Sequence, residues 1–166
     1  MFCEKLVVRN SDENDLVQIA AIHRNAFGRD GEARLARELI LSTTPTLSLV
    51  ADCDDSVIGH VLLSEISAPM RAMMLAPLAV NSNFRELQVG STLVRNALKS
   101  AEQLGIDAIF VLGDPLYYER FGFSSPKADP FAIKWQGPHF MVVELSENVL
   151  ASKSGKLGVS EAFASL

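Results

Sequence analysis

The sequence predicts a mixed α/β domain: a mostly antiparallel, twisted sheet with one parallel strand–helix–strand crossover near its centre, flanked by helices. Three observations predict it. A β-branched first run is followed by two segments with helical spacing of apolar residues. Two strand-like runs then meet at a turn-rich "DCDDS". Finally, an apolar run, a loop with one glycine, an amphipathic helix and a continuous apolar run follow in series. That last order is the signature of a crossover between parallel neighbours.

The elements follow in order. "EKLVVR" reads as a strand. "NSDEND" supplies a cap, with Ser11 the expected N-cap and acidic residues in the first turn. Leu16, Ile19, Ala20, His23 and Phe27 recur at helical spacing until "FGRDG" breaks the pattern. "EARLARELILS" is a second helix, with Leu35, Leu39 and Ile40 on one face. "TLSLVAD" and "SVIGHVLLSEI" form a hairpin through "DCDDS". "RAMMLAPLAV" is a further strand. Its Pro77 cannot donate to a ladder, so an edge position or a bulge is expected. After Gly90 a helix turns Leu93, Ala97, Leu98, Ala101 and Leu104 inward and stops at Gly105. "IDAIFVL" is a buried strand, "DPLYYERFGF" a short helix with an aromatic exit, and "PHFMVVEL" a last, alternating strand. Residues 147–166 either fold back or hang loose. At 166 residues, 48% hydrophobic, the chain is expected to form one domain over 1–166 with a sizeable core.

Composition narrows the function. The formal charge of −5 lacks the basic excess of a nucleic-acid footprint. The N-terminus has no signal-peptide pattern and no apolar run is long enough to span a bilayer, so a cytoplasmic protein is expected, with neither nucleic acid nor membrane as partner. Cys3 and Cys53 fit no metal-ligand spacing, and no metal site is expected. Free thiols are the expectation for a reducing compartment, with a mutual disulfide as the alternative. No G-x-S-x-G elbow points to serine catalysis. Neither cysteine sits at a clear helix start or near a histidine in sequence, as a reactive thiolate would.

The loop "RELQVGS", Arg85 to Ser91, stands between strand and helix, where unpaired N–H groups and the helix dipole favour an anion. Gly90 lets a ligand approach the backbone, Arg85 can pair a phosphate, and Ser91 adds a hydroxyl. It is neither a P-loop nor a dinucleotide fingerprint. An ordinary strand-to-helix connection is the competing reading.

"LAPLAVNSNFRELQVGSTLVRNAL" followed by "DAIFVLGDPLYYERFGF" resembles the GNAT superfamily of N-acetyltransferases, most closely a bacterial subfamily with an LGDPxYYxRFGF-like block. The family's loop runs Gln/Arg-x-x-Gly-x-Gly/Ala after the "PLAV" strand, and its later block is a tyrosine followed by x-x-x-Gly-Phe, here Tyr118 to Phe123. The resemblance runs from "LVVRN" to "FMVVEL" and implies a GNAT fold and acetyl-CoA as co-substrate. It implies that Leu78, Ala79 and Val80 pair with the pantetheine amides. It implies that N–H groups of Arg85, Glu86, Leu87, Gln88, Val89, Gly90 and Ser91 cradle the pyrophosphate. Tyr118 matches the tyrosine that protonates the leaving thiolate, and Tyr117 is left to pack on the strand beneath. Gln88 departs from the pattern, standing where the first glycine belongs. Its side chain either crowds the pyrophosphate or points away and donates a hydrogen bond.

Acetyl transfer to an amine needs a deprotonated amine, a polarised carbonyl and a proton for the thiolate. The N–H of Val80 is where relatives polarise the carbonyl. Glu65 is the candidate base, near the end of its strand. His60 is five residues earlier and so on the opposite face. His23 reads as core, His139 as a possible wall of the acceptor cleft, and water serves as base in many members. The reading is therefore an N-acetyltransferase in which a primary amine, on a small molecule or peptide, attacks acetyl-CoA directly in a ternary complex. The alternative is a non-catalytic acyl-CoA-binding or protein-interaction module with a degenerate pyrophosphate loop. Members of the family are often dimers, which leaves a homodimer open.

Overall fold

The computed structural model describes residues 3–166, apart from the side chains of Arg85, Glu86 and Ser165. Strand β1 (Leu6–Asn10) leads into helices α1 (Leu16–Phe27) and α2 (Gly31–Leu41). Then come β2 (Thr46–Cys53), β3 (Ser56–Ile66) and β4 (Ala72–Val80), a 3-10 helix Ser82–Leu87, α3 (Val89–Gln103) and β5 (Ala108–Leu112). Short helices α4 (Pro115–Tyr118) and α5 (Ser125–Ala128) precede β6 (Phe131–Ala132), β7 (Phe140–Glu144) and β8 (Gly155–Lys156). Six strands form one sheet in the order β1-β2-β3-β4-β5-β7, antiparallel except for the parallel pair β4–β5. This is the predicted architecture. No helix among the described residues is long and apolar enough to cross a membrane.

Both faces of the sheet are covered, so successive residues of one strand enter different cores. Met74, Phe110 and Val142 belong to the core beneath α1 and α2; Met73, Ile109 and Val143 belong to the one beneath α3. That corrects the alternating pattern expected of the last strand: Phe140 to Val143 are all buried, because each face has a helix or turn to pack on. In α3, Leu93, Ala97 and Ala101 are buried, but Leu104 is 57% exposed. Leu104 is already the helix C-cap, and Gly105, at φ 78°, turns the chain away.

One capping expectation shifts slightly. Asp12, not Ser11, supplies the cap, and it caps a 3-10 turn, Glu13–Asp15, that runs into α1: its carboxylate accepts from Asn14 N–H, and Asp15 reaches back to the Asp12 N–H at 2.8 Å. The β2–β3 turn is formed by Asp54 and Asp55, both at positive φ as a two-residue hairpin turn requires. The Asp54 carboxylate accepts from the N–H groups of Glu4 and Lys5, each at 3.1 Å. That anchors the N-terminal segment beside β2, where Cys3 and Cys53 are joined in a disulfide with Cα atoms 5.8 Å apart. The free-thiol expectation is corrected. The register Leu6↔Cys53 delivers the two sulfurs to each other, which spacing in the chain could not reveal. Asp54 completes a trio of potential metal ligands with these cysteines, but disulfide sulfurs are not thiolates.

Pro77 lies in a central strand, not an edge, and it forms a bulge. Val61 pairs with Leu78 and Leu63 with Leu75, so Leu62 alone faces Ala76 and cis-Pro77. Residues 147–166 fold back. Gly155–Lys156 pair with β6, Ser67 bridges Gly158, and Leu157 and Phe163 are buried.

Candidate active site

The bulge at Pro77 is also where the sheet opens. The parallel ladder of β4 and β5 ends at Leu75↔Val111. Beyond it, Leu78, Ala79 and Val80 pair with β3 alone, through Val61, His60 and Gly59. One edge of β4 therefore faces a gap rather than a neighbouring strand. Unpaired edge N–H and C=O groups suit an extended, amide-bearing ligand.

On one side of the gap is a cleft of about 550 Å³, walled by Leu78, Ala79, Val80, Gln88, Gly90 and Ser91 together with Tyr117 and Arg120. Helix α3 starts here, and the N–H groups of its first turn have no intrahelical partner. Phe84, 7% exposed, pins the preceding 3-10 helix to the core. Packing sets the helix position. A Cβ on Gly59 would sit 2.9 Å from Leu93 Cδ1, so β3 and α3 approach as closely as they do because residue 59 is glycine. A Cβ on Gly90 would sit 2.8 Å from the Tyr117 hydroxyl. Gln88 holds φ 56°, the left-handed conformation glycine takes freely, and makes no capping bond through its side chain. Its carbonyl accepts from Thr92 N–H and Oγ1, at 3.1 and 3.0 Å. The backbone shape of the signature loop is thus kept without its glycine, at about 1–2 kcal/mol of strain. The Arg85 and Glu86 side chains lie outside the described residues, while Leu87 is exposed beside the loop.

On the other side is a cavity of about 410 Å³ sharing Phe27 and Leu78 with the first. Its wall includes Pro77, Gly113 and Tyr118. Tyr118 packs edge-on against Tyr117 and Phe123, with ring centroids 5.0 and 5.6 Å away. A Cβ on Gly113 would lie 2.5 Å from the Tyr118 ring, so glycine is needed for the ring to reach the gap. Burial, helped by Tyr117, raises the Tyr118 phenol above its ordinary value and keeps it protonated. The packing role expected of Tyr117 is corrected: both tyrosines face the opening, on opposite sides of it.

The predicted bases are not brought here. Glu65 pairs in register with Met73 and lines a separate depression near Arg71. It stands roughly 17 Å along β3 from His60, the residue opposite Ala79. His60 is fully buried, with Nδ1 2.8 Å from His23 Nε2 and Nε2 2.8 Å from Ser48 Oγ. Burial lowers the pKa of both rings, His23 to about 4, so the pair is neutral. His139 is exposed and ties down the strand exit: Gly113 N–H donates to its carbonyl at 2.9 Å, and its Nδ1 lies 3.1 Å from Gly113 O.

Sequence reasoning missed Arg120, whose Nε donates to Tyr117 O at 3.0 Å and whose guanidinium lies 4.3 Å from the Tyr117 ring centroid. Its place inside the "YYERFGF" block was the available signal. It also missed Glu32, Trp135 and Phe163 on the second cavity. They come from three distant segments, and no spacing links them.

The chain can be set beside known proteins. Residues 16–123 match the model of the acetyltransferase (GNAT) family. The uncharacterized N-acetyltransferase YhbS of Escherichia coli strain K12 is 32% identical over 164 residues, covering 95% of this chain and 98% of that protein. YjhQ of the same strain, also an uncharacterized N-acetyltransferase, is 33% identical over 127 residues, or 72% of this chain and 70% of that one. The crystal structure of Escherichia coli YhbS in complex with CoA superimposes with a TM-score of 0.91 at 31% identity, over 96% of this chain and 92% of that one. A GNAT family acetyltransferase from Brucella melitensis in complex with acetyl-CoA shares the fold, with a TM-score of 0.80 at 24% identity over 96% and 98% of the two chains. With the family model spanning more than half its length and full-length relatives at this identity, the chain belongs to the GNAT family of N-acetyltransferases.

Proposed function

We propose that the protein transfers an acetyl group from acetyl-CoA directly to a primary amine, both bound at once in the gap between β4 and β5. The observation that carries this reading is the parting of the two strands at Pro77, which leaves an unpaired edge of β4 between two cavities that share Phe27 and Leu78. Pantetheine amides pair with Leu78, Ala79 and Val80 as an added strand. The N–H groups from Arg85 to Ser91 hold the pyrophosphate at the start of α3, with Arg120 as a second positive group beside it. The complex of YhbS with CoA supports the choice of cofactor.

The chemistry follows from the groups at the gap. The amine nitrogen attacks the thioester carbon, and the Val80 N–H stabilises the oxygen as it gains charge. The carbon–sulfur bond breaks and the electron pair goes to sulfur, which takes a proton from the Tyr118 hydroxyl. The raised phenol pKa means that this proton moves only as charge develops on sulfur, not before. The nitrogen's extra proton leaves to water, since the carboxylate predicted as base lies too far away. Tyr118→Phe tests the assignment. Turnover should fall by about 10²–10⁴-fold, while acetyl-CoA affinity changes by less than about threefold (roughly 0.6 kcal/mol). Unchanged turnover removes Tyr118 from the mechanism.

A further inference from the structure

We infer that the acceptor is a compact, apolar primary amine whose charged nitrogen is recognised by Glu32 in the cavity on the far side of the gap. The inference rests on the transferase reading above and adds the class of acceptor. Of the described side chains lining that cavity, only those of Arg29 and Glu32 carry charge. Glu32 is 5% exposed and lines this cavity. A buried carboxylate requires a cationic partner. Arg29 fills that need: its Nε donates to Oε1 and Oε2 at 2.9 and 3.2 Å, and its Nη2 to Oε2 at 2.6 Å. This partner is easily exchanged, because the Arg29 side chain is 68% exposed. Oε1, which takes a single donor from Arg29, can also accept a second. The Arg29 hydrogen bonds lower the Glu32 pKa, which suits a group that holds the arriving ammonium; that ammonium gives a proton to water before its nitrogen attacks.

The rest of the wall sets the body of the ligand. Phe27, Trp135 and Phe163 line it, with the Trp135 and Phe163 centroids 5.8 Å apart. One ring face of Trp135 already has Lys134 Nζ 5.2 Å from its centroid, so this ring serves as an apolar wall. A volume of about 410 Å³ is near the lower end for ligand pockets. One buried negative charge, an aromatic lining and small size together select an amine on a short hydrophobic or aromatic frame. A carboxylate on the ligand would face that of Glu32 at close range.

The test uses 2-phenylethylamine, titrated calorimetrically into the CoA-saturated protein and assayed with acetyl-CoA by thiol release. Wild type should bind and acetylate it. Glu32→Gln should weaken its binding at least tenfold while leaving acetyl-CoA affinity intact. Arg29→Gln, which keeps Glu32 and removes its competitor, should bind it as well or better, so the inference stays testable if Glu32→Gln fails to fold. Phenylalanine, the same frame with an added carboxylate, should bind at least tenfold more weakly. Amine binding unaffected by Glu32→Gln, a preference for phenylalanine, or acetylation of a lysine peptide or an aminoglycoside by a protein that ignores 2-phenylethylamine would each overturn the inference. Those last outcomes would leave the transferase reading standing. Failure to bind acetyl-CoA, with amine binding still dependent on Glu32, would count against the transferase reading alone.

Discussion

The two halves of the cleft are built in opposite ways. The proposed cofactor half is drawn largely from one stretch, Leu78 to Ser91, and its main working surface is backbone. The proposed acceptor half is drawn from β4, α1, α2, the β5 exit, Tyr118, the segment after β6 and the C-terminal turn, and its working surface is side chain. Backbone recognition constrains the sequence through a few positions where a Cβ cannot fit, such as Gly90 and Gly59. Side-chain recognition leaves its partners scattered along the chain. A fold can hold the first half constant and vary the second, which is how one reaction comes to serve many acceptors.

Substitutions should separate the halves. Gly90→Val should have the largest effect, because its Cβ would meet the Tyr117 hydroxyl at 2.8 Å and the branched side chain would enter the cofactor cleft. A loss of acetyl-CoA affinity of about 100-fold or more, near 2.7 kcal/mol, is expected. Affinity kept within threefold would mean that the cofactor does not approach this turn.

The buried His23–His60 pair gives a smaller effect, one that belongs to the scaffold beneath both halves. Desolvation holds both rings neutral, His23 with a pKa of about 4 against an ordinary 6.5. The unfolded chain therefore binds protons that the folded one refuses, and stability falls as pH drops from 6.5 towards 4. At pH 5 His23 should cost about 2 kcal/mol relative to pH 7. Asp15 and Glu32, whose pKa values are lowered, add their loss at still lower pH. Urea unfolding at the two pH values measures this, and equal midpoints would mean that the folded pair takes up protons as readily as the unfolded chain does.

Gln88→Gly should have the smallest effect. Removing a side chain at φ 56° relieves about 1 kcal/mol of strain, partly offset by the greater freedom of glycine in the unfolded chain. A melting temperature raised by up to a few degrees is expected, with acetyl-CoA affinity within about threefold, because the side chain makes no capping bond. Affinity tightened tenfold would show that Gln88 crowds the pyrophosphate.

The same contrast explains what could be read before the fold was known. The crossover, the hairpin and the helix stop at Gly105 were legible because each follows from local pattern and turn chemistry. Pro77 was legible as a disruption. That it marks a bulge in a central strand, and so the mouth of the cleft, depends on which strands flank it. The Cys3–Cys53 bond depended on the register of β1 against β2. Glu65 reads as a base because it stands near the end of a strand, but β3 runs antiparallel to β4 and carries Glu65 to the far end. In the sequence Glu32 is one more acidic residue at the start of a helix. Only the packing of α2 over the cavity, with the tail behind it, turns that position towards the gap.

The most direct measurement is calorimetric titration of acetyl-CoA into the protein and into its Gly90→Val variant. Micromolar binding, on the order of −8 kcal/mol, that the variant loses would place the cofactor on the β4 edge and the start of α3. Absence of heat from the unaltered protein at millimolar acetyl-CoA, or equal binding by both proteins, would contradict the account.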